Sequence, residues 1–269
     1  MCERHSFTEG AVVTSSFAII LPARYESSRF PGKPLVDIGG RTLIEWSYRR
    51  AERVQGVGAV IVATDDTRIQ RVVEAFGGRV ALTSQDIRTG TDRVAAVTRD
   101  LELDIVVNLQ GDEPIVPDGL VEEMVSVIDR TGADMVTPCH RIDTPEDLTN
   151  PNVVKMIMTS DGRALYFSRS PIPYGAWKKL HGSAISPADA FRHIGVYVYR
   201  KQALLDFAAA PQSLLERQEG LEQLRALELG MDIRTVVSQE RTAGVDVPED
   251  IIIVEKILAK NYTEPDRSP

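Results

Sequence analysis

Three permanent cations, Arg24, Arg29 and Lys33, fall within one loop, Pro22-Ala23-Arg24-Tyr25-Glu26-Ser27-Ser28-Arg29-Phe30-Pro31-Gly32-Lys33-Pro34. Directly before the loop lies an apolar run, Phe17–Leu21, that reads as a buried strand. Loops at the carboxyl ends of such strands are where α/β sheets bind ligands. Cations gathered there suit an anion such as a polyphosphate, because Arg forks onto phosphate oxygens and Lys supplies a compact charge. The loop lacks G-x-x-x-x-G-K-[ST], which excludes an ATPase P-loop, and lacks G-x-G-x-x-G, which leaves a dinucleotide fold unsupported. Phosphates would then be held by side-chain cations and by the loop amides that Pro22 and Pro31 leave available. A solvated surface loop would explain one such charge. Three of them on a Pro- and Gly-stiffened loop at a strand end favour binding.

A second polar segment, Asn108-Leu109-Gln110-Gly111-Asp112-Glu113-Pro114, follows the apolar run Ile105–Leu109 and lands on the same edge. Asp112 suits Mg²⁺, which prefers hard oxygens and usually takes one or two carboxylates plus substrate phosphates. A plain turn before Pro114 explains Asp112 about as well. The second carboxylate would be Asp246 in Gly244-Val245-Asp246-Val247-Pro248-Glu249-Asp250. Asp-x-x-Glu with an intervening Pro is also a helix N-cap signature, and the two roles are compatible. Asp65 ends an apolar run and either caps the next helix or meets a ribose or base. Gly90-Thr91-Asp92-Arg93 is either a glycine turn that admits a flat base or an ordinary helix start. His193, in an apolar strand after Arg192, reads as structural, and Glu222 and Gln223 as solvated helix positions. Nothing places a serine near His193, so no Ser-His-Asp triad is argued.

These residues need a scaffold, and the hydrophobic pattern supplies one. Strands are expected at Phe17–Leu21, Ala59–Ala63, Val80–Leu82 and Ile105–Leu109, with helices at Thr42–Val54, Arg68–Phe76, Arg93–Leu101 and Pro117–Asp129. This alternation predicts a mostly parallel sheet with helices on both faces. Beyond it, Val153–Met158, Ala164–Ser168 and His193–Tyr199 are strand-like without full crossover helices, which predicts antiparallel or mixed pairing in an excursion from the main sheet. Gly175–Asp189 reads as a loop. Ser213-Leu214-Leu215-Glu216 has the form of a capping box, opening a helix to about Leu229 that Gly230 stops. Ile233–Val237 returns to strand, and a last helix starts near Pro248.

The chain has 269 residues, a formal net charge of −8 and two cysteines, Cys2 and Cys139. The length fits one large α/β domain or two small ones. The acidic balance argues against nucleic-acid binding, so the basic loop is a local exception. Two distant cysteines build neither a disulfide framework nor a Cys-rich zinc site, which suits a reducing compartment. No apolar run approaches the ~20 residues that span a bilayer, so no membrane partner is expected. The expected organisation is a loose extension over 1–16, a single domain over 17–262 with the excursion at about 135–205, and a loose tail over 263–269.

Taken together, the segments Leu21-Pro22-Ala23-Arg24-Tyr25, Arg29-Phe30-Pro31-Gly32-Lys33-Pro34-Leu35, Ala63-Thr64-Asp65, Gly90-Thr91-Asp92-Arg93 and Asn108 to Pro114 carry a family resemblance. So do Ala164-Leu165-Tyr166-Phe167-Ser168-Arg169, His193-Ile194-Gly195-Val196-Tyr197, Glu219 to Arg225 and Gly244-Val245-Asp246. The chain resembles the 3-deoxy-manno-octulosonate (Kdo) cytidylyltransferases, from Phe17 to about Leu258. The first loop alone suggests only a sugar nucleotidyltransferase; Tyr-Phe-Ser-Arg and Leu-Glu-Gln-Leu-Arg point to Kdo. The resemblance implies a Rossmann-like, GT-A-like nucleotidyltransferase fold and a cytoplasmic, Mg²⁺-dependent homodimer. Its reaction would join CTP and Kdo to give CMP-Kdo and pyrophosphate for lipopolysaccharide synthesis.

The same resemblance assigns roles. Arg24 and Lys33, assisted by Arg29, would grip the CTP phosphates beside Pro22 and Ala23. Asp65, Thr89, Gly90 and Gln110 would contact the nucleotide. Asp112 and Asp246 would hold magnesium. Gln110, Arg169, His193, Glu222 and Gln223 would shape the sugar site. The chain departs from the family pattern before Gly90, where it reads Asp86-Ile87-Arg88-Thr89; Thr89 keeps the hydroxyl of the expected Ser. An 8-amino analogue of Kdo, or another acidic sugar of the sialic-acid type, is the alternative substrate. A nucleotide-binding protein without catalysis is the alternative of a different class.

Overall fold

The structure, a computed structural model, describes residues 16–26, 30–174 and 190–261. Arg29, the loop expected at Gly175–Asp189, and nearly all of the two terminal extensions lie outside the described residues. The nucleotide-type half runs β1 (Phe17–Ala23), a small hairpin of β2 (Asp37–Ile38) and β3 (Arg41–Thr42), α1 (Leu43–Glu52), β4 (Val57–Thr64), α2 (Thr67–Ala75), β5 (Val80–Leu82), α3 (Gly90–Thr98), β6 (Ile105–Asn108) and α4 (Leu120–Thr131). The second half contains β7 (Met135–Arg141), α5 (Pro145–Thr149), β8 (Lys155–Met158), β9 (Ala164–Ser168), β10 (Phe191–His193), β11 (Tyr197–Arg200), α6 (Lys201–Ala209), α7 (Leu214–Glu219), α8 (Gln223–Glu228), β12 (Ile233–Ser238) and α9 (Asp250–Asn261).

One ten-stranded sheet has the order β5-β4-β1-β6-β11-β7-β10-β8-β9, with β12 beside β7. From β5 to β6 every pairing is parallel, so Ala23, Thr64, Leu82 and Asn108 end at one edge. The antiparallel partner β11 starts at that edge, with Tyr197 opposite Asn108. Strand β12 runs parallel to β7 and also ends there, at Ser238 opposite His140. The expected excursion is antiparallel, but it is hydrogen-bonded into the main sheet: β10 pairs with both β7 and β8, and β8 with β9.

Apolar residues explain the layers. All seven residues of β1 are buried, because helices cover both faces. Ile19, Leu21 and Val107 pack with Tyr48, Met124 and Ile128 on one face. Ile20, Val106 and Tyr199 pack with Val94, Leu204 and Leu224 on the other. A smaller cluster joins Ile38, Leu43 and Trp46 to Val245, Val254 and Leu258. It ties the C-terminal helix α9 to α1 and the hairpin.

Four expectations are corrected. The strand expected at His193–Tyr199 is two strands, because Ile194–Val196 leaves the ladder: Ile194 N–H donates to the Pro138 carbonyl at 3.0 Å and Val196 N–H to Ile194 at 2.8 Å. The helix expected from Ser213 to Leu229 breaks at Gly220, which adopts φ 64°, so the capping box opens only α7. Helix α3 starts at Gly90 rather than Arg93, since the Thr89 hydroxyl accepts the Asp92 N–H at 3.0 Å. Asp246 does not cap the last helix: Asp250 accepts its N–H at 2.7 Å, and that of Val247 at 2.9 Å.

Candidate active site

The loop after β1 carries Lys33 back to the sheet edge. Its ammonium donates to the Asp112 carboxylate and, at 2.8 Å, to the Val245 carbonyl, and it lies 3.8 Å from Asp246 Oδ1. Asp112 and Asp246 therefore face one cation. What brings them together is backbone docking. Ile115 and Ala243 form an antiparallel bridge, and Val245 N–H donates to the Asp112 carbonyl at 3.0 Å. Val245, 1% exposed, anchors this strap in the α1–α9 cluster. The close approach needs glycine. A Cβ on Gly244 would lie 3.1 Å from the Asp112 carbonyl oxygen, and one on Gly111 3.0 Å from that of Pro22.

Glu113, which the sequence reading passed over, completes an acidic corner. Burial, then the charges of Asp112 and Asp246, push its carboxyl up to about 7. Its Oε2 is buried without a hydrogen-bond partner. Besides the Lys33 ammonium, the corner offers carboxylate oxygens, a donor type that fits a hard divalent cation such as Mg²⁺. Among the described residues no group of three or more His, Cys, Asp or Glu gathers as a metal cluster.

Across the edge, Arg24 donates to the Ile87 carbonyl. Burial, then Arg93, lower its pKa. Its Nε–H is buried without a partner, a donor that a ligand anion would satisfy. Asp65 neither caps α2, which Asp66 does, nor faces solvent alone. It binds Arg93 at 2.8 Å, and the fully buried Arg93 also donates to Thr83 and, at 3.4 Å, to the Ile87 carbonyl. Asp65 and Arg93 thereby fix the segment before Gly90. A Cβ on Gly90 would sit 3.4 Å from Pro22 and 3.6 Å from Gln110, so these three line one wall, next to Ala23 at the end of β1.

Of the remaining predicted residues, His193 and Glu222 lie near Tyr197 at the start of β11. His193 Nε2 is 2.8 Å from Thr137 Oγ1, which is also 2.9 Å from the Val196 carbonyl and 3.2 Å from that of Ile194. A hydroxyl has one proton and both carbonyls only accept, so Thr137 donates to a carbonyl and accepts from an Nε2–H of His193. Burial lowers the His193 pKa to about 3, so the ring is neutral and Nδ1 is its acceptor. The ring packs edge-on against Phe167 at 5.1 Å between centroids. Glu222, whose pKa burial raises, accepts from Thr91 Oγ1. Gln223, 3% exposed, begins α8 beside it.

Arg169 is held by main chain. Nε donates to the Glu219 carbonyl at 2.8 Å, Nη1 to Pro151 at 2.9 Å and Nη2 to Gly220 at 3.4 Å. These contacts use three of the five guanidinium N–H donors. The sequence reading also missed Arg93, although its motif Gly-Thr-Asp-Arg carried the signal: a charged residue one turn into a helix behind a buried strand.

Comparison with known proteins shows the family of the chain. Residues 18–233 match the family model described as Cytidylyltransferase. The 3-deoxy-manno-octulosonate cytidylyltransferase of Syntrophotalea carbinolica is 48% identical over 249 residues, covering 90% of this chain and 98% of that protein. The one from Geobacter sulfurreducens is 44% identical over 246 residues, covering 90% and 97%. A solved structure of CMP:2-keto-3-deoxy-manno-octonic acid synthetase complexed with CTP superposes with a TM-score of 0.85 at 40% identity, covering 92% of this chain and all of that one. The chain belongs to the 3-deoxy-manno-octulosonate cytidylyltransferase family.

Proposed function

We propose that the protein transfers the cytidylyl group of CTP to Kdo, releasing pyrophosphate and giving CMP-Kdo for lipopolysaccharide synthesis. The observation that carries this reading is the convergence of Lys33, Asp112 and Asp246 at the sheet edge that also presents Arg24 and Gly90. The anomeric 2-hydroxyl of the sugar attacks the α-phosphorus, an O–P bond forms, the bond to pyrophosphate breaks, and the hydroxyl proton passes to solvent. Such chemistry rests on positioning and charge neutralisation. Arg24 and Lys33, with Arg29, hold the phosphates and stabilise departing pyrophosphate. Asp112 and Asp246 would hold Mg²⁺, which neutralises phosphate charge and polarises the nucleophile when bound.

Pro22, Ala23, Thr89, Gly90 and Gln110 contact the nucleotide, and Asp65 acts there through Arg93. The two remaining N–H donors of Arg169 suit the sugar carboxylate. His193 Nδ1, Glu222, Gln223 and the amide of Gln110 suit sugar hydroxyls. A dimeric, cytosolic enzyme completes the reading. Support for the dimer is the edge strand β9 with half-exposed Leu165; sedimentation velocity at micromolar concentration tests it. Turnover compared on Kdo, its 8-amino analogue and sialic acid tests the sugar. Preference for either alternative acid would move the assignment to that substrate, and CTP binding without turnover on any sugar would replace it with a binding protein.

A further inference from the structure

A buried chain of hydrogen bonds links the proposed nucleotide wall to the proposed sugar site. Gln110 Nε2 donates to Asn108 Oδ1 at 3.2 Å, and Asn108 Nδ2 donates to Thr91 Oγ1 at 3.2 Å. Thr91 Oγ1 in turn donates to Glu222 Oε1 at 2.5 Å. Asn108 is 0% exposed and Thr91 1%. The chain has a direction. The Asn108 amide donates to the Thr91 oxygen, and the single Thr91 proton is directed to Glu222.

We infer that Thr91 is a positioning residue for the sugar site, holding the Glu222 carboxylate in place from the first turn of α3. The inference rests on the reading of Glu222 as a sugar contact. Glu222 precedes α8 with helical backbone, and its side chain has no cap hydrogen bond of its own. Thr91 supplies the fixed donor. Burial favours the neutral form of Glu222, and the Thr91 hydrogen bond opposes that. The same residue follows Gly90, so the turn that receives the nucleotide and the carboxylate that meets the sugar are one hydrogen bond apart.

The test compares Thr91→Val, Thr91→Ser, Glu222→Gln and the Thr91→Val/Glu222→Gln double variant of the full-length protein. The readouts are KM and kcat for Kdo at saturating CTP and Mg²⁺, Tm, and CTP affinity by titration calorimetry without sugar. Expected for Thr91→Val is a roughly tenfold rise in sugar KM, the loss of one charge-assisted hydrogen bond, with CTP affinity within about twofold. Thr91→Ser should restore KM, and the double variant should be no worse than Glu222→Gln alone. Thr91→Ala replaces the valine variant should that one fail to fold. Wild-type sugar KM in the hydroxyl-free variant while Glu222→Gln is impaired would overturn the role of Thr91 alone. So would equal losses for sugar and CTP, or no rescue by serine. Unchanged sugar KM in Glu222→Gln would overturn the reading of Glu222 as well.

Discussion

Lys33 stands where two carboxylates meet, so its removal has a double consequence. Lys33→Ala should lower kcat by about a hundredfold or more, the size expected when a preorganised charge at the reacting phosphate is lost. It should change unfolding free energy by less than about 2 kcal/mol, in the range of an ordinary point substitution. Near-wild-type turnover with intact CTP binding would contradict the phosphate role. Without nucleotide, Mn²⁺ titration followed by electron paramagnetic resonance should show tighter binding to the variant, because no ammonium then occupies the space between Asp112 and Asp246.

His193 gives a pH prediction with a definite sign. Its pKa falls from 6.5 to about 3 on folding, so the folded state binds fewer protons. Stability from this residue is intact above pH 6.5 and is lost as pH falls toward about 3, by on the order of 5 kcal/mol. His193→Gln should flatten the urea-unfolding stability profile over that window; an unchanged acid slope would contradict a buried neutral ring. Lys33, Arg24 and Asp112 could be picked out from the chain because charges on a stiff loop after an apolar strand are rare. Glu113 could not, since its perturbation comes first from burial, then from Asp112 and from Asp246, far away in sequence, and the burial arises only in the folded chain.

Among elements, the strap from Ala243 to Asp246 is the one on which the site depends. It is held by the α1–α9 cluster through Val245 and Leu258. Leu258→Ala, at a position 3% exposed, should cost about 2–5 kcal/mol in denaturant melts and raise the Mg²⁺ concentration needed for half-maximal rate. Loss of stability with unchanged metal dependence would show that the strap is positioned by other contacts. The βαβ half could be read from its pattern: fully buried strands appear as continuous apolar runs, and amphipathic helices lie between them. The later elements were harder. Strand β7 contains Pro138 and ends in polar His140 and Arg141, which masks its period. Gly220 breaks a helix whose apolar spacing continues on both sides.

In the whole molecule, an acidic chain presents a cationic loop to an anionic nucleotide and an acidic sugar. Specificity therefore rests on local placement rather than on the field of the body. The parallel strands β4, β1 and β6 and the antiparallel β11 meet at the site edge, so nucleotide and sugar walls come from different kinds of pairing. The pairing of Asp112 with Asp246 could not be read from the sequence, because their spacing along the chain contains no trace of the bridge between Ile115 and Ala243. The most direct test is pyrophosphate release by the purified protein with Mg²⁺ and Kdo, offered CTP, UTP, ATP and GTP in turn. Release that requires both CTP and Kdo is the predicted result. Release with another nucleotide in preference to CTP, or none with any nucleotide from folded protein, would contradict the proposed reaction.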